Sequence, residues 1–262
     1  MILGYLGALL VGLTLGLLGG GGSILTVPIL VYLLAINPVT ATAYSLFVVG
    51  VTSLVGAIRN MMNGMVDTKV AVVFAVPALI AVYLTRRYLV PAIPEELFDV
   101  GSLTITKDLA IMIFFAIIML AASYTMIKGR KEVAVDAKQQ LKVPLILLEG
   151  SVVGVLTGIV GAGGGFLIIP ALVLFANLPM KRAVATSLLI IAVKSLIGFL
   201  GDVQTLEIQW TFLLTFTGLS IVGIFIGIYL NRFIDGKKLK KAFGWFVLIM
   251  GIYIITKELF LN

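Results

Sequence analysis

Gly154-Val155-Leu156-Thr157-Gly158-Ile159-Val160-Gly161-Ala162-Gly163-Gly164-Gly165-Phe166-Leu167-Ile168-Ile169-Pro170 repeats an earlier stretch of the same chain. Its counterpart, 142 residues upstream, is Gly12-Leu13-Thr14-Leu15-Gly16-Leu17-Leu18-Gly19-Gly20-Gly21-Gly22-Ser23-Ile24-Leu25-Thr26-Val27-Pro28. The match continues without a gap from 12–56 onto 154–198, with 17 identities in 45 positions. It includes the glycines, Pro28/Pro170 and the serine pairs Ser45/Ser187 and Ser53/Ser195. Apolar filler produces chance matches, but glycines, prolines and serines at one fixed offset indicate a duplicated unit.

The repeat sits in a chain of 262 residues that is 61% hydrophobic and only 12% charged. A soluble domain is about 25% charged, so the solvent for most of this surface is a lipid bilayer. Cysteine and histidine are both absent. That removes disulfides, thiolate chemistry and the commonest metal ligand and general base; no metal, cofactor or enzymatic activity is expected. The net charge of +7 falls in short connections between apolar runs. It reads as a topology signal beside lipid, with no nucleic-acid partner.

Spans of the length a helix needs to cross a bilayer fall near 40–58, 69–87, 107–127, 182–200, 209–230 and 240–260. Two further apolar stretches, 2–36 and 143–178, are cut by the glycine clusters into a long and a short arm. A short arm of about 13 residues reaches only about 20 Å as a helix. The expected fold is therefore an all-α polytopic transmembrane bundle of two inverted repeats. Each repeat has a glycine-tipped re-entrant or broken hairpin and three spans: 1–127 forms the first, 128–142 a charged cytoplasmic linker, 143–262 the second.

Basic residues choose between topologies. If each long stretch crosses once, Lys and Arg divide eight and ten between the two sides, with Lys194 inside the membrane. If each is a hairpin, fourteen fall on one side, and only Arg86, Arg87, Lys107 and Lys257 on the other. The second arrangement obeys the positive-inside rule and places both termini outside a plasma membrane.

Consecutive glycines destabilise a helix by about 1 kcal/mol each and suit a tight turn with exposed amides. The short helix after such a turn offers its N-terminal amides and positive dipole end to an anion. Inverted repeats bring two such tips together near mid-membrane. The candidate substrate-binding set is Gly20, Gly21, Gly22 and Ser23 from the first tip and Gly163, Gly164 and Gly165 from the second. Gly12/Gly16 and Gly154/Gly158, spaced four apart, read instead as close-packing positions.

Lys194 lies about twelve residues into its span, where a charge is costly unless paired or hydrated; it reads as functional, with snorkelling toward an interface as the alternative. Countercharge to a bound anion is its expected role; its repeat partner is Thr52. Ser45, Ser53, Ser187 and Ser195 are candidate donors, to the same ligand or across helices. Arg59, Asn60, Asp202 and Glu149 are candidate coupling or gating residues. Arg59 also reads as an interfacial anchor, and the two acids, near span ends, as ordinary solvated carboxylates.

The doubled Gly-x-x-x-Gly-x-x-Gly-x-Gly-Gly pattern, followed by an apolar stretch and proline, resembles the TauE/SafE sulfite exporter family. The second copy is the closer match; the first departs at Ser23, where the second has Gly165. The resemblance implies a secondary transporter of sulfite, organosulfonates or related small anions, usually outward. An anion channel, or a carrier for another small organic anion, is the competing expectation.

Overall fold

The computed structural model describes residues 2–100, 103–128, 143–161, 163–174, 176, 178–231, 233 and 236–260. The linker expected at 128–142 lies, apart from Lys128, outside the described residues.

The chain is a helical bundle. In the first half, α1 (Ile2–Leu18) runs into a 3-10 helix (Gly19–Leu25). The α turn α2 (Thr26–Pro28) and a π-helical turn (Ile29–Leu33) complete the short arm. Then come α3 (Pro38–Met62), α4 (Thr68–Leu84) with a π turn (Thr85–Leu89), and α5 (Val90–Ala92). A two-stranded antiparallel ribbon, β1 (Glu96–Val100) and β2 (Leu103–Thr106), leads into α6 (Lys107–Lys128); a hydropathy pass does not register it. The second half comprises α7 (Val143–Val160), α8 (Gly165–Leu174), α9 (Met180–Leu200), α10 (Trp210–Leu230) and α11 (Gly236–Phe260). All six predicted spans are present, each within about four residues of its expected ends. Among the described residues, six helices are long and apolar enough to cross a membrane: α3, α4 with its continuation to Ala92, α6, α9, α10 and also α7, the first arm of the second hairpin.

Local chemistry starts the helices where the sequence changes character. Asn37 caps α3, its side chain accepting from Val39 N and Thr40 N, with Pro38 in the first turn, where it forfeits no intrahelical bond. Asp67 caps α4 by accepting from Val70 N at 3.1 Å.

Neighbour contacts give each helix its direction. On α1 and α10, Ala8 meets Ser220, Gly12 meets Ile224 and Leu17 meets Asn231, so the two run parallel. On α7 and α4, Gly150 meets Phe74, Gly154 meets Ala78 and Gly158 meets Thr85, again parallel. These two interfaces are related by the same offset of 142: 12 and 220 become 154 and 78. In contrast, α3 and α9 run antiparallel, Phe47 stacking on Phe199 at 5.0 Å, Gly50 meeting Leu196 and Gly56 meeting Leu188.

Each hairpin thus packs its first arm on the other half. The glycines expected to allow close approach do so. A Cβ placed on Gly16 would lie 2.7 Å from Ile228 N, and one on Gly154 2.6 Å from the Ala78 carbonyl oxygen. The hairpins also fold back on themselves: a Cβ on Gly22 would strike the backbone of Thr14 and Leu15.

Candidate functional site

The two glycine tips meet. A Cβ on Gly20 would lie 2.6 Å from Gly165 Cα, and one on Gly163 3.1 Å from Ser23 Cβ. Val49, near the midpoint of α3, packs against Gly163, and Ile191, near the midpoint of α9, packs against Gly20. The tips therefore touch halfway along the central helices. Gly20, Gly22, Ser23, Gly163, Gly164 and Gly165 are all buried, and Gly21 lies within the same 3-10 helix.

The tips differ in form. The second is an open turn in which Gly161, Gly163 and Gly164 adopt φ of +71°, +65° and +67°, a region where a side chain is strained. In the first only Gly19 is left-handed (φ +64°), and the remaining glycines continue as a 3-10 helix. The expected tight turn is thus formed at the second tip and not at the first. Ser23 Oγ donates to Gly20 O at 2.8 Å within the 3-10 helix, where the second copy has a glycine.

Lys194 is fully buried, and its Nζ lies 2.9 Å from where a Cβ on Gly164 would stand. It donates to Thr157 Oγ1 at 2.7 Å, and among the described residues no carboxylate pairs with it. The α3 face turned to the second tip carries Thr42, Ser45, Val49 and Thr52; the α9 face turned to the first carries Val184, Ser187 and Ile191. Both faces follow from helical spacing and from the contacts of Thr42, Val49, Val184 and Ile191 with glycines. Ser45, Ser53 and Ser195 are buried with hydroxyls that have no hydrogen-bond partner among the described residues. Ser187 instead donates to Val184 O of its own helix at 2.8 Å.

Three of the coupling candidates, Arg59, Asn60 and Glu149, lie away from the tips. Arg59 and Asn60 lie half-buried at the far end of α3, Arg59 over the Phe225 ring at 5.9 Å. Glu149 is half-buried, twelve residues before Gly161, or about 18 Å along α7. Asp202 corrects the solvated-acid reading. It is 3% exposed and accepts from Arg86 Nε at 2.7 Å. Burial pushes its carboxyl up, against the pull of Arg86.

Arg86 is the residue the sequence reading missed. Counted there as an exposed topology charge, it is fully buried. Its Nη1 donates to Thr42 Oγ1 at 3.0 Å and to Gly158 O at 3.2 Å, while Nη2 has no partner among the described residues. Lys194 and Arg86 thus bond consecutive residues in the last turn of α7, Lys194 the Thr157 hydroxyl and Arg86 the Gly158 carbonyl, at a helix end whose dipole favours cations. A separate cleft of about 490 Å³ lies beyond the end of the first short arm, lined in part by Tyr32, Asp108, Lys257 and Glu258; it holds none of the predicted site residues.

Comparison with known proteins places the chain among membrane transporters. A probable membrane transporter protein of Xylella fastidiosa (strain 9a5c) is 32% identical over 256 residues, covering 95% of this chain and 92% of the relative. The probable membrane transporter protein YunE of Bacillus subtilis is 26% identical over 268 residues, covering 96% of each. One from Methanocaldococcus jannaschii is 35% identical over 119 residues, 43% of this chain and 45% of the relative. No solved structure matches. The family described as sulfite exporter TauE/SafE matches residues 4–254, and the chain is a membrane transporter belonging to that family.

Proposed function

We propose that the protein is a secondary carrier that exports small sulfur-containing anions, of the sulfite or organosulfonate type, by alternating access around the meeting point of the two glycine tips. The observation that carries this reading is Lys194. It is a fully buried cation beside Gly164, bonded only to a neutral hydroxyl among the described residues. An uncompensated buried charge is costly, and a bound anion offsets that cost. The left-handed Gly163 and Gly164 of the second tip and the hydroxyls of Ser45, Ser53 and Ser195, unpartnered among the described residues, supply polar groups suited to an oxyanion; the Gly161 amide already donates to Thr157 O.

The antiparallel α3–α9 pair supports inverted repeats. Equivalent helices that cross a membrane in opposite directions are related by an axis lying in its plane. Burial of the tip residues favours a carrier over an open anion channel, because a conducting pore lines its filter with accessible groups.

The test is a thermal-shift screen of purified protein against sulfite, thiosulfate, sulfate, sulfonates, carboxylates and chloride at constant ionic strength. A selective shift by a sulfur oxyanion is expected, absent in Lys194→Ala, with matching flux in liposomes. Equal shifts in wild type and Lys194→Ala would remove the site.

A further inference from the structure

We propose that Arg86 is a second anion-binding residue of this site, and that Asp202 is the resident carboxylate an incoming oxyanion displaces from it, taking up a proton as it leaves. The inference rests on the anion site proposed above and adds its second charge, its charge preference and its link to protons.

Arg86 is not placed as an interfacial or purely structural arginine would be. It has no solvent exposure, yet it meets Asp202 through Nε alone, whereas a strong arginine–carboxylate pair uses the two-pronged fork. Nη1 is spent on two neutral oxygens, and Nη2 is buried with no partner among the described residues. Leaving a buried donor unmade is costly. A tetrahedral oxyanion has oxygens enough to take Nη2 and Nε together.

The first half supplies an internal control. At the offset of 142, Arg86 becomes Ile228, Asp202 becomes Asn60, Thr42 becomes Val184 and Lys194 becomes Thr52. The register is that of the structure, since Gly158 meets Thr85 as Gly16 meets Gly227. The first hairpin packs its long arm as closely without any ion. The cations and carboxylate at the second tip are therefore not needed for that packing, and another purpose keeps them buried.

Charge then sets the ligand class. Arg86 and Lys194 against Asp202 leave one net positive charge, which a monoanion balances. A dianion is balanced only when Asp202 is neutral. In that step the Arg86–Asp202 contact breaks, the anion takes its place, and a proton from solvent binds the carboxylate; no covalent bond changes. No other charged group is recorded in contact with Asp202. Arg87 follows Arg86 and is half-buried, Lys181 and Arg182 lie exposed at the opposite end of α9, and Lys69 at the opposite end of α4. Arg59 lies at the far end of α3 and Glu149 near the start of α7.

The test titrates the full chain in detergent with sulfate and with methanesulfonate, at fixed ionic strength, at pH 6 and pH 8. Both probes keep their charge across that range. Wild-type affinity for sulfate is expected to rise several-fold from pH 8 to pH 6, and that for methanesulfonate to change little. In Asp202→Asn, sulfate binds at pH 8 as tightly as to wild type at pH 6, and the pH dependence vanishes. The double variant Arg86→Gln/Asp202→Asn removes both partners, so neither is stranded, and carries the test if the single variant fails to fold. It keeps Lys194-dependent binding of methanesulfonate and loses the gain in sulfate affinity at low pH. Wild-type affinity and pH dependence in these variants would overturn the proposal while leaving the Lys194 site standing. A wild type that responds to neither probe nor to sulfite would overturn both.

Discussion

Arg86 and Lys194 are both buried cations, and their partners make opposite predictions for their removal. Arg86→Ala strands the Asp202 carboxylate at 3% exposure. Breaking a buried pair from one side costs about 3–5 kcal/mol, so a clear fall in melting temperature is expected without any ligand. Lys194→Met removes a charge that has no acidic partner among the described residues and leaves an apolar chain of similar length. Ligand-free melting should hold or rise while the shift produced by sulfur oxyanions disappears; a fall as large as that of Arg86→Ala would assign Lys194 to the scaffold. Lys194 was legible as a buried lysine because, twelve residues into an apolar run, it has a long reach to either interface; its full burial excludes snorkelling. Arg86 was not, because Arg86-Arg87 at a span end has the form of an interfacial anchor. The signal that separates them is the repeat itself: extended past residue 56, it sets Arg86 against Ile228 and Asp202 against Asn60.

The hairpins were readable as elements because glycine has few uses in apolar sequence. Spaced by four it permits close approach; in a run it breaks the helix. Gly154→Val tests the first use. Its Cβ would meet the Ala78 carbonyl oxygen at 2.6 Å, and backbone cannot swing aside, so the α7–α4 pair must separate. Substantial destabilisation is expected by thermal melting. Gly218→Ala is the matched control. Nothing lies within 4 Å of its added Cβ, so the helix propensity of alanine, worth up to about 1 kcal/mol, should leave stability unchanged or improved. The form of the first tip was not legible. Four glycines followed by Ser23 read as an open turn, whereas the Ser23 hydroxyl closes on the Gly20 carbonyl and the segment winds as a 3-10 helix. Local composition permits either shape; packing against Val184 and Ile191 of α9 is known only from the assembled fold.

At the scale of the molecule, the proposed inverted arrangement rests on the distribution of basic residues and on the antiparallel α3–α9 pair. Burial of Arg86 removes one of the four basic residues assigned to the outer face, sharpening the bias. The absence of cysteine makes sidedness directly measurable with single introduced cysteines. Ala137→Cys in the linker should react with impermeant reagents only after the membrane is opened, and Thr104→Cys, exposed on β2, from outside intact cells. The reverse pattern would invert the proposed orientation. The number and bounds of the spans were legible because apolar runs of bilayer length stand out in the sequence. Which helix neighbours which was not legible, since α1, α7, α4 and α10 are all predominantly apolar and their glycines pack closely on neighbours known only from the fold.

That choice of partners has a consequence for how the molecule is divided. With α1 seated on α10 and α7 on α4, each half lends its leading helix to the other, as two people link arms. A single half, folded by itself, would leave the glycine face of its own leading helix uncovered. Two copies of such a unit would cover those faces only by exchanging leading helices, which is the arrangement the single chain adopts. Cutting the chain at the linker should release two fragments that fail apart and assemble together.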